Sequence, residues 1–500
     1  MRTLAAGMGW WALGMAAGAP VWLAARRFPL HPALAAAAVA ALVGAALLVL
    51  RLPAWGACAL ITLIYWNASD VVTDTWGFAW LLRLALAGVL GAWLLNRLLR
   101  APAPRLRWPL LAPLLLWGGA QVLATPGAGD LAAAGARLGE FAKDFAVFYI
   151  LANLLPSPRA WRWGVNALLT AVALLALPVL YQGVTGSHNP FWGFGAMVWA
   201  QIVPGQFGWR LGGALGDPNF LAMVLVAGLP LAAVQALEPR AGTLRRLLAL
   251  SALGLGLGAT LYTYSRAAFL GVGLLVVLLL YHPRRRWVLA ALAAALVAST
   301  AAAPAALWGR LQTLATSSLT APRQQMTDAS FSDRRHEMLT GALMFLHHPL
   351  LGVGPGNYES EYLQYSALAG GGSDTRIRDP HSLYIQIAAE TGLIGFAAFV
   401  WLVCAAYALM ERGRRRAARL GAPNLAGLIW ALEVAVAIYL LLSTFLHDAY
   451  FRHFLLLLAL GGLGAALALE TGAGLESRRT RRAGAGDFNH AVYSREGVRT

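Results

Sequence analysis

Three short stretches of this 500-residue chain carry the residues best suited to chemistry. RDPHSLYIQIAAETGLIG sets His381 against an apolar helix, WRLGGALGDPNF contains Arg210 and Asp217, and LYTYSRAAFLGVG contains Arg266. An uncharged imidazole can accept a proton from a hydroxyl group. A guanidinium keeps its charge and binds phosphate through two parallel hydrogen bonds. Together these residue types predict chemistry on a phosphate-bearing, anionic substrate.

His381 is the candidate general base. The sequence predicts that Asp379 caps a helix, that Pro380 is its first residue and that His381 lies in the first turn. The positive end of the helix dipole would oppose protonation there and leave a neutral imidazole. The alternative is an interfacial histidine that only extends its polar edge towards water.

Arg266 is the first candidate ligand for an anion. The apolar run from Leu247 to Tyr281, at about 35 residues, would form a helix on the order of 50 Å long, which exceeds a membrane core of about 30 Å. A break near Tyr264 and Ser265 resolves the excess length and places Arg266 at the outer membrane edge. A lone arginine there is costly unless it pairs with an anion. Alternatively, it simply extends from a helix end to the interface.

Arg210 is the second candidate, as the only arginine or lysine in the first long outer loop. The glycines beside it allow the backbone to approach a ligand closely. Asp217 precedes Pro218, and the start of the next helix is the favoured interpretation of that pair. Arginines and carboxylates balance in the second long loop, so only selected arginines would bind an anion there.

The composition predicts a membrane protein built from helices. Hydrophobic residues make up 59% of the chain and charged residues only 12%, and in hydrocarbon every backbone polar group must be paired within its own segment. About fourteen apolar segments are long enough or nearly long enough to span, and the count could be twelve. The opening segment is expected to be an uncleaved first helix. We find no strand-like alternation.

The charge distribution predicts topology rather than nucleic-acid binding. Although the net charge is +17, the arginines cluster at the ends of apolar runs, which by the positive-inside rule marks the cytoplasmic side. Both termini are then cytoplasmic. The predicted parts are transmembrane helices 1–182, a first periplasmic loop 183–216, helices 217–303, a folded periplasmic cap 304–380, helices 381–470 and a disordered tail 471–500.

The long loops add two further expectations. Aromatic residues crowd the first loop, in the mixture that is typical of a segment in the lipid headgroup layer. In the second, GVGPGN neither follows a strand nor opens a helix, so we predict a turn rather than a phosphate loop. His347 and His348 are adjacent and lack a carboxylate at ligand spacing, so no metal site is expected.

Taken together, these stretches resemble the bacterial O-antigen ligases, within a larger group that also holds O-antigen polymerases and protein O-oligosaccharyltransferases. His381 and Ser382, nine further positions, and Gly392 and Gly395 match the family pattern. SRAAFLGVG, HPLLGVGPGNY and WRLGGALGDPNF are similar to other family blocks. The resemblance covers roughly Arg210 to Gly395.

The resemblance implies an all-α, polytopic bundle of 12 to 14 transmembrane helices, similar to GT-C glycosyltransferases, with a helical periplasmic cap. It implies a cofactor-free, metal-independent, inverting enzyme of the bacterial inner membrane whose active site faces the periplasm. The donor would be O-antigen on undecaprenyl pyrophosphate, and the acceptor a sugar hydroxyl of lipid A-core. His381 would be the base and Arg210 and Arg266 would bind the pyrophosphate. The other residues expected to line the site are Arg334, Arg378, Tyr264, Asp217 and Asp448.

Other functions stay open at this point. A polymerase or a protein O-oligosaccharyltransferase would use the same donor with a different acceptor. A lipid-phosphate flippase belongs to another class, but such proteins usually carry ionisable residues in the middle of the membrane. The candidates here cluster at one membrane edge, which favours chemistry on that face.

Overall fold

The computed structural model describes residues 52–78, 80–99, 106–203, 206–239, 241–280, 329–370, 376–447 and 452–471. The first part of this chain forms helices joined by short connections: α1 (Pro53–Tyr65), α2 (Ala68–Trp76), α3 (Leu81–Leu99), α4 (Leu111–Ala124), α5 (Leu131–Leu154) and α6 (Pro158–Thr185). Short 3₁₀ turns occupy Thr125–Gly127 and Phe191–Gly193.

The remaining elements are strands β1 (Ala196–Val203) and β2 (Gln206–Gly213), then helices α7 (Pro218–Ala236), α8 (Thr243–Tyr262), α9 (Arg266–Leu280), α10 (Ala329–His347), α11 (Tyr358–Leu368), α12 (Leu383–Arg419), α13 (Pro423–Leu442) and α14 (Arg452–Thr471).

The length and composition of the helices support a membrane protein. Within the described ranges, 7 helices are long and apolar enough to cross a membrane: α3, α6, α7, α8, α12, α13 and α14. The shorter α1 and α9 are also apolar. Predicted segments near 4–25, 31–50 and 287–303 lie outside the described residues. The expected 12 to 14 spans and the likeness to GT-C enzymes therefore remain predictions.

Helix α7 lies at the centre of the bundle. Almost every residue from Pro218 to Gln235 is buried, which is the pattern of a helix that is apolar on all faces and surrounded by others. It packs against α6, α8, α9 and α13. Its N-terminus is thereby fixed at the centre of one end of the bundle, where the candidate residues lie.

The predicted break in the long apolar run is confirmed. Helix α8 ends at Tyr262 and α9 begins at Arg266. Tyr264 between them has φ 52°, a left-handed conformation that a non-glycine residue rarely adopts. Arg266 therefore stands at a helix end.

The absence of strands was a wrong prediction. Strands β1 and β2 form an antiparallel hairpin in which Trp199 pairs with Trp209 and Val198 with Arg210. Trp199, Phe207 and Trp209 are exposed, whereas Arg210 on the other face is buried. In β2, aromatic residues alternate with glycine and arginine. A search for alternating apolar and polar residues therefore does not find this strand.

Helix α12 contains a break that accommodates the turn predicted at GVGPGN. Gly392 has φ 61° and ψ −162°, which interrupts the helical hydrogen bonds. The turn supplies new partners: Val353 N donates to Ala389 O at 2.9 Å, and Gly354 N donates to Glu390 O at 2.9 Å. In return, Leu393 N donates to Pro349 O at 2.8 Å. The α10–α11 segment is therefore attached through backbone atoms to the helix that follows His381.

Replacing Gly392 by alanine should destabilise the protein. A Cβ at Gly392 would overlap the backbone of Leu350, and the backbone conformation alone would cost a non-glycine residue about 1–3 kcal/mol. We expect a clear fall in the thermal unfolding temperature of the purified protein in detergent. Gly91→Ala in α3 is the control, because a Cβ there meets no described atom within 4 Å. Equal stability of both variants would contradict this role for Gly392.

Candidate active site

The candidate residues lie at one end of the helical bundle. Arg210 is in β2, Asp217 precedes α7, Tyr264 and Arg266 lie at the α8–α9 break, and His381 precedes α12. Helix ends from distant parts of the sequence therefore place these residues at the same end of the bundle. The opposite end carries ion pairs of a different kind, such as Arg107 with Glu470 at 2.7 Å.

Arg210 connects three elements. Its Nε donates to the carbonyl oxygen of Thr263 at 3.0 Å, and its Nη2 donates to Oδ1 of Asn219 at 2.9 Å. Thr263 belongs to the break that ends just before Arg266, and Asn219 is in the first turn of α7. Arg210 therefore orders the two helix ends on which Arg266 and Asp217 lie.

Asp217 is the N-cap of α7. Its Oδ1 accepts hydrogen bonds from the backbone N–H groups of Asn219 at 2.6 Å and Phe220 at 3.0 Å. These are two of the donors that a helix N-terminus leaves unpaired. Asp217 is thus a helix cap in the structure, which is the interpretation that the sequence favoured.

His381 lies outside the helix that was predicted to contain it. Helix α12 begins at Leu383, with Ser382 as N-cap, and His381 has φ 43°. The predicted capping by Asp379 and the helix-dipole argument built on it are therefore wrong. Backbone strain at a side chain of this kind is commonly found at functional sites.

The imidazole of His381 nevertheless has reasons to stay neutral. Burial lowers the pKa of His381 to about 3, and the positive charges of Arg334 and Arg378 and the neighbouring His447 act in the same direction. The expected neutral form is thus favoured by desolvation and by like charge.

Glu337 of α10 is a site residue that the sequence analysis missed. Its Oε2 lies 3.6 Å from Nε2 of His381, and its side chain is 3% exposed. Nη1 of Arg378 approaches its Oε1 at 3.4 Å and Oδ2 of Asp333 at 2.7 Å. Burial raises the pKa of Glu337 to about 7, although the hydrogen bond from Arg378 opposes the shift. In the sequence it was one of several balanced charges, and nothing set it apart.

His447 is a second missed residue, and it joins the two halves of the site. Its ring lies 5.5 Å from that of His381, edge to face, and 4.9 Å from the ring of Phe220. Its Nε2 is 3.5 Å from Oδ2 of Asp379. Burial lowers the pKa of His447, and the carboxylates of Asp379 and Asp217 act against that shift. The polar HDAYFRH run between the last two helices is the feature of the sequence that could have indicated His447.

A series of contacts and one pair of sequence neighbours joins Arg210 to His381. Arg210 binds Asn219, the neighbouring Phe220 contacts His447, and His447 contacts His381. Tyr264 is buried beside Ile202 of the hairpin, and Arg266 is half-buried at the start of α9. Asp448 lies outside the described residues. Within those residues, no group of three His, Cys, Asp or Glu side chains is placed to hold a metal ion.

The fold and the site define a helical membrane protein that carries a histidine and arginines at one end of its helices. Residues 250–400 match the family model described as O-antigen ligase, a range that contains the α8–α9 break, Glu337 and His381. This part of the chain is therefore similar to the O-antigen ligase family, whose ligases and polymerases are glycosyltransferase-like enzymes of lipopolysaccharide biosynthesis. A search of curated proteins finds no match.

The lowered pKa of His381 predicts unusual reactivity in acid. Diethyl pyrocarbonate modifies neutral imidazole, so a free histidine with a pKa of about 6.5 should lose more than about tenfold in labelling rate between pH 6.5 and 5. We expect the His381 peptide, followed by mass spectrometry, to change less than about twofold because its ring stays neutral. N-acetylhistidine in the same tube is the internal standard. A parallel fall in both rates would contradict the buried, uncharged state.

Proposed function

We propose that the protein transfers O-antigen polysaccharide from undecaprenyl pyrophosphate to a sugar hydroxyl of lipid A-core. The observation that supports this most is a half-buried imidazole whose pKa is lowered by desolvation and by two arginines, at one end of a bundle of apolar helices. A base without charge can take a proton from an alcohol, and arginines can hold a pyrophosphate. An enzyme that joins two lipid-linked sugars at a membrane surface needs both.

In the proposed reaction, His381 removes the proton of the acceptor hydroxyl. The oxygen attacks the anomeric carbon while the bond to the pyrophosphate oxygen breaks, so the configuration at that carbon inverts. Negative charge grows on the departing pyrophosphate. Fixed guanidinium groups that already point at this position stabilise that charge without reorganising.

The arginines would divide this work. Arg210 is buried and engaged with Thr263 and Asn219, so it would add positive charge and hold the α8–α9 break in place. Arg266 begins α9 beside that break and would contact the pyrophosphate. Arg334, whose charge acts on both His381 and His447, would stand between the donor phosphate and the base.

The distribution of side chains supports a periplasmic site in the inner membrane. The end of the bundle opposite to the site carries the arginine-rich end of α12, where Glu411 pairs with Arg414 and Arg415. By the positive-inside rule that end would be cytoplasmic. At the site end, the exposed Trp199 and Trp209 have the character of residues in the headgroup layer. Both termini would then be cytoplasmic.

Replacing His381 by alanine should abolish transfer. Purified protein would be reconstituted with the lipid-linked donor and lipid A-core in the presence of EDTA, and the product would be followed by a gel shift. We expect at least about 100-fold loss, the lower range for a lost general base, while donor binding is retained. The wild-type protein should keep its rate with EDTA present.

The acceptor distinguishes this proposal from its nearest rivals. If the protein is a polymerase, a second lipid-linked repeat will serve as the acceptor in place of lipid A-core. If it glycosylates proteins, a peptide or protein will do so. Transfer to either of these and none to lipid A-core would overturn the ligase assignment. Movement of the donor across vesicles without any transfer would indicate a flippase.

The proposed orientation can be tested by cysteine labelling. Single cysteines would replace Gln206 in the hairpin and Ala418 at the opposite end, in a variant whose Cys58 and Cys404 are alanine. Both chosen positions are exposed. We expect a membrane-impermeant maleimide to label position 206 in spheroplasts and position 418 only after lysis. The reverse pattern would contradict a periplasmic active site.

A further inference from the structure

Glu337 lies beside His381, and the proposed reaction assigns a role to His381 but none to Glu337. Oε2 of Glu337 lies 3.6 Å from Nε2 of His381. Among the described residues, that oxygen and Nδ1 of His381 are buried without a hydrogen-bond partner. A carboxylate is costly to remove from water unless it is paired and hydrogen-bonded. The cost of burying the Glu337 carboxylate beside the candidate base therefore indicates that this carboxylate has a role there.

Arg378 fixes the orientation of this carboxylate. Its Nη1 lies 3.4 Å from Oε1 of Glu337 and 2.7 Å from Oδ2 of Asp333, which is one helical turn earlier in α10. The guanidinium engages one carboxylate oxygen of Glu337 and leaves the other directed at His381. The hydroxyl group of Tyr358 donates to the backbone oxygen of Glu337 at 2.7 Å, which holds the helix at this residue.

We infer that Glu337 is the positioning residue that selects the working tautomer of His381. Its Oε2 accepts the hydrogen bond from Nε2–H, so that the lone pair is on Nδ1. Nδ1 is buried in this structure, so the inference requires that acceptor binding exposes it. The proton of the acceptor hydroxyl then moves to Nδ1, and the carboxylate stabilises the imidazolium that forms. A third group that orients a base in this way is a recurring arrangement. The inference rests on the proposed function.

The observed separation is compatible with this role. A gap of 3.6 Å is slightly longer than a hydrogen bond, and catalytic hydrogen bonds often shorten only when substrate is bound. A further carboxylate near the two rings, Asp379, faces Nε2 of His447 and its side chain is 42% exposed. Water screens Asp379, whereas Glu337 is shielded and faces His381 itself.

The pair also predicts a pH dependence. Because the pKa of Glu337 is raised to about 7 and that of His381 is lowered to about 3, the first proton to bind as pH falls goes to Glu337. The competent form, a carboxylate beside a neutral imidazole, is then present above about pH 7 and is lost below it. The other charged or titratable groups that act on the pair are Asp333 and Arg334 from α10, Arg378 before α12, Tyr358 from α11 and His447 after α13.

The test compares Glu337→Gln, Glu337→Asp and the matched control Glu361→Gln from pH 5.5 to 8.5. Glu361 belongs to the same folded segment but lies beside Gly129. With donor and acceptor lipids, we expect Glu337→Gln to lower kcat by about 10- to 100-fold, to leave the KM for donor nearly unchanged, and to lose the rise in rate near pH 7. Glu337→Asp should keep part of the rate and a pH-dependent rise. The control should match the wild type.

A second measurement is independent of transfer. Diethyl pyrocarbonate labelling of His381 should accelerate between pH 6 and 8 in the wild type, as the carboxylate forms and increases the basicity of the ring, and it should not accelerate in Glu337→Gln. A Glu337→Gln protein that keeps both the wild-type kcat and the labelling profile would overturn the inference. If the wild type labels as expected but transfers nothing to lipid A-core, the proposed function fails and the role of Glu337 stands.

Discussion

The candidate site depends on keeping one half-buried imidazole free of charge. Protonation of the His381 ring is opposed by burial and by the positive charges of Arg334 and Arg378. Positive charges of this kind also attract anions. In the proposed reaction, the same charges would bind a phosphate-bearing donor and keep the neighbouring base neutral, so these two requirements do not compete.

Backbone contacts on one side of the site and an arginine side chain on the other hold this arrangement together. The turn at 349–357 uses N–H and C=O groups that the break at Gly392 makes available, and it thereby fixes α10 against the segment that contains His381. On the other side of the site, Arg210 connects the hairpin to the α8–α9 break. The central helix α7 lies between these attachments, and it is buried on all faces because it is apolar on all faces.

The sequence predicted the elements whose signals are local. The break before Arg266 followed from the length of the apolar run, and the Asp217–Pro218 pair indicated a helix start. The hairpin was missed because its alternation sets aromatic residues against glycine and arginine. The start of α12 was misplaced by three residues because Asp379–Pro380 imitates a capped helix. Glu337 and His447 were not found, since each becomes significant only through a partner far away in the sequence, and a single sequence carries no record of such pairings.

The attachment between the turn and α12 also restricts how the protein can change over evolutionary time. A methyl group at Gly352 would collide with main-chain atoms of Glu390 and Thr391, and one at Gly392 with main-chain atoms of Leu350. Because every residue type has these main-chain atoms, no substitution at Leu350, Glu390 or Thr391 could make room for the added methyl group. The two glycines cannot be exchanged through compensating pairs of substitutions, and lineages that diverge elsewhere in the sequence must do so around them.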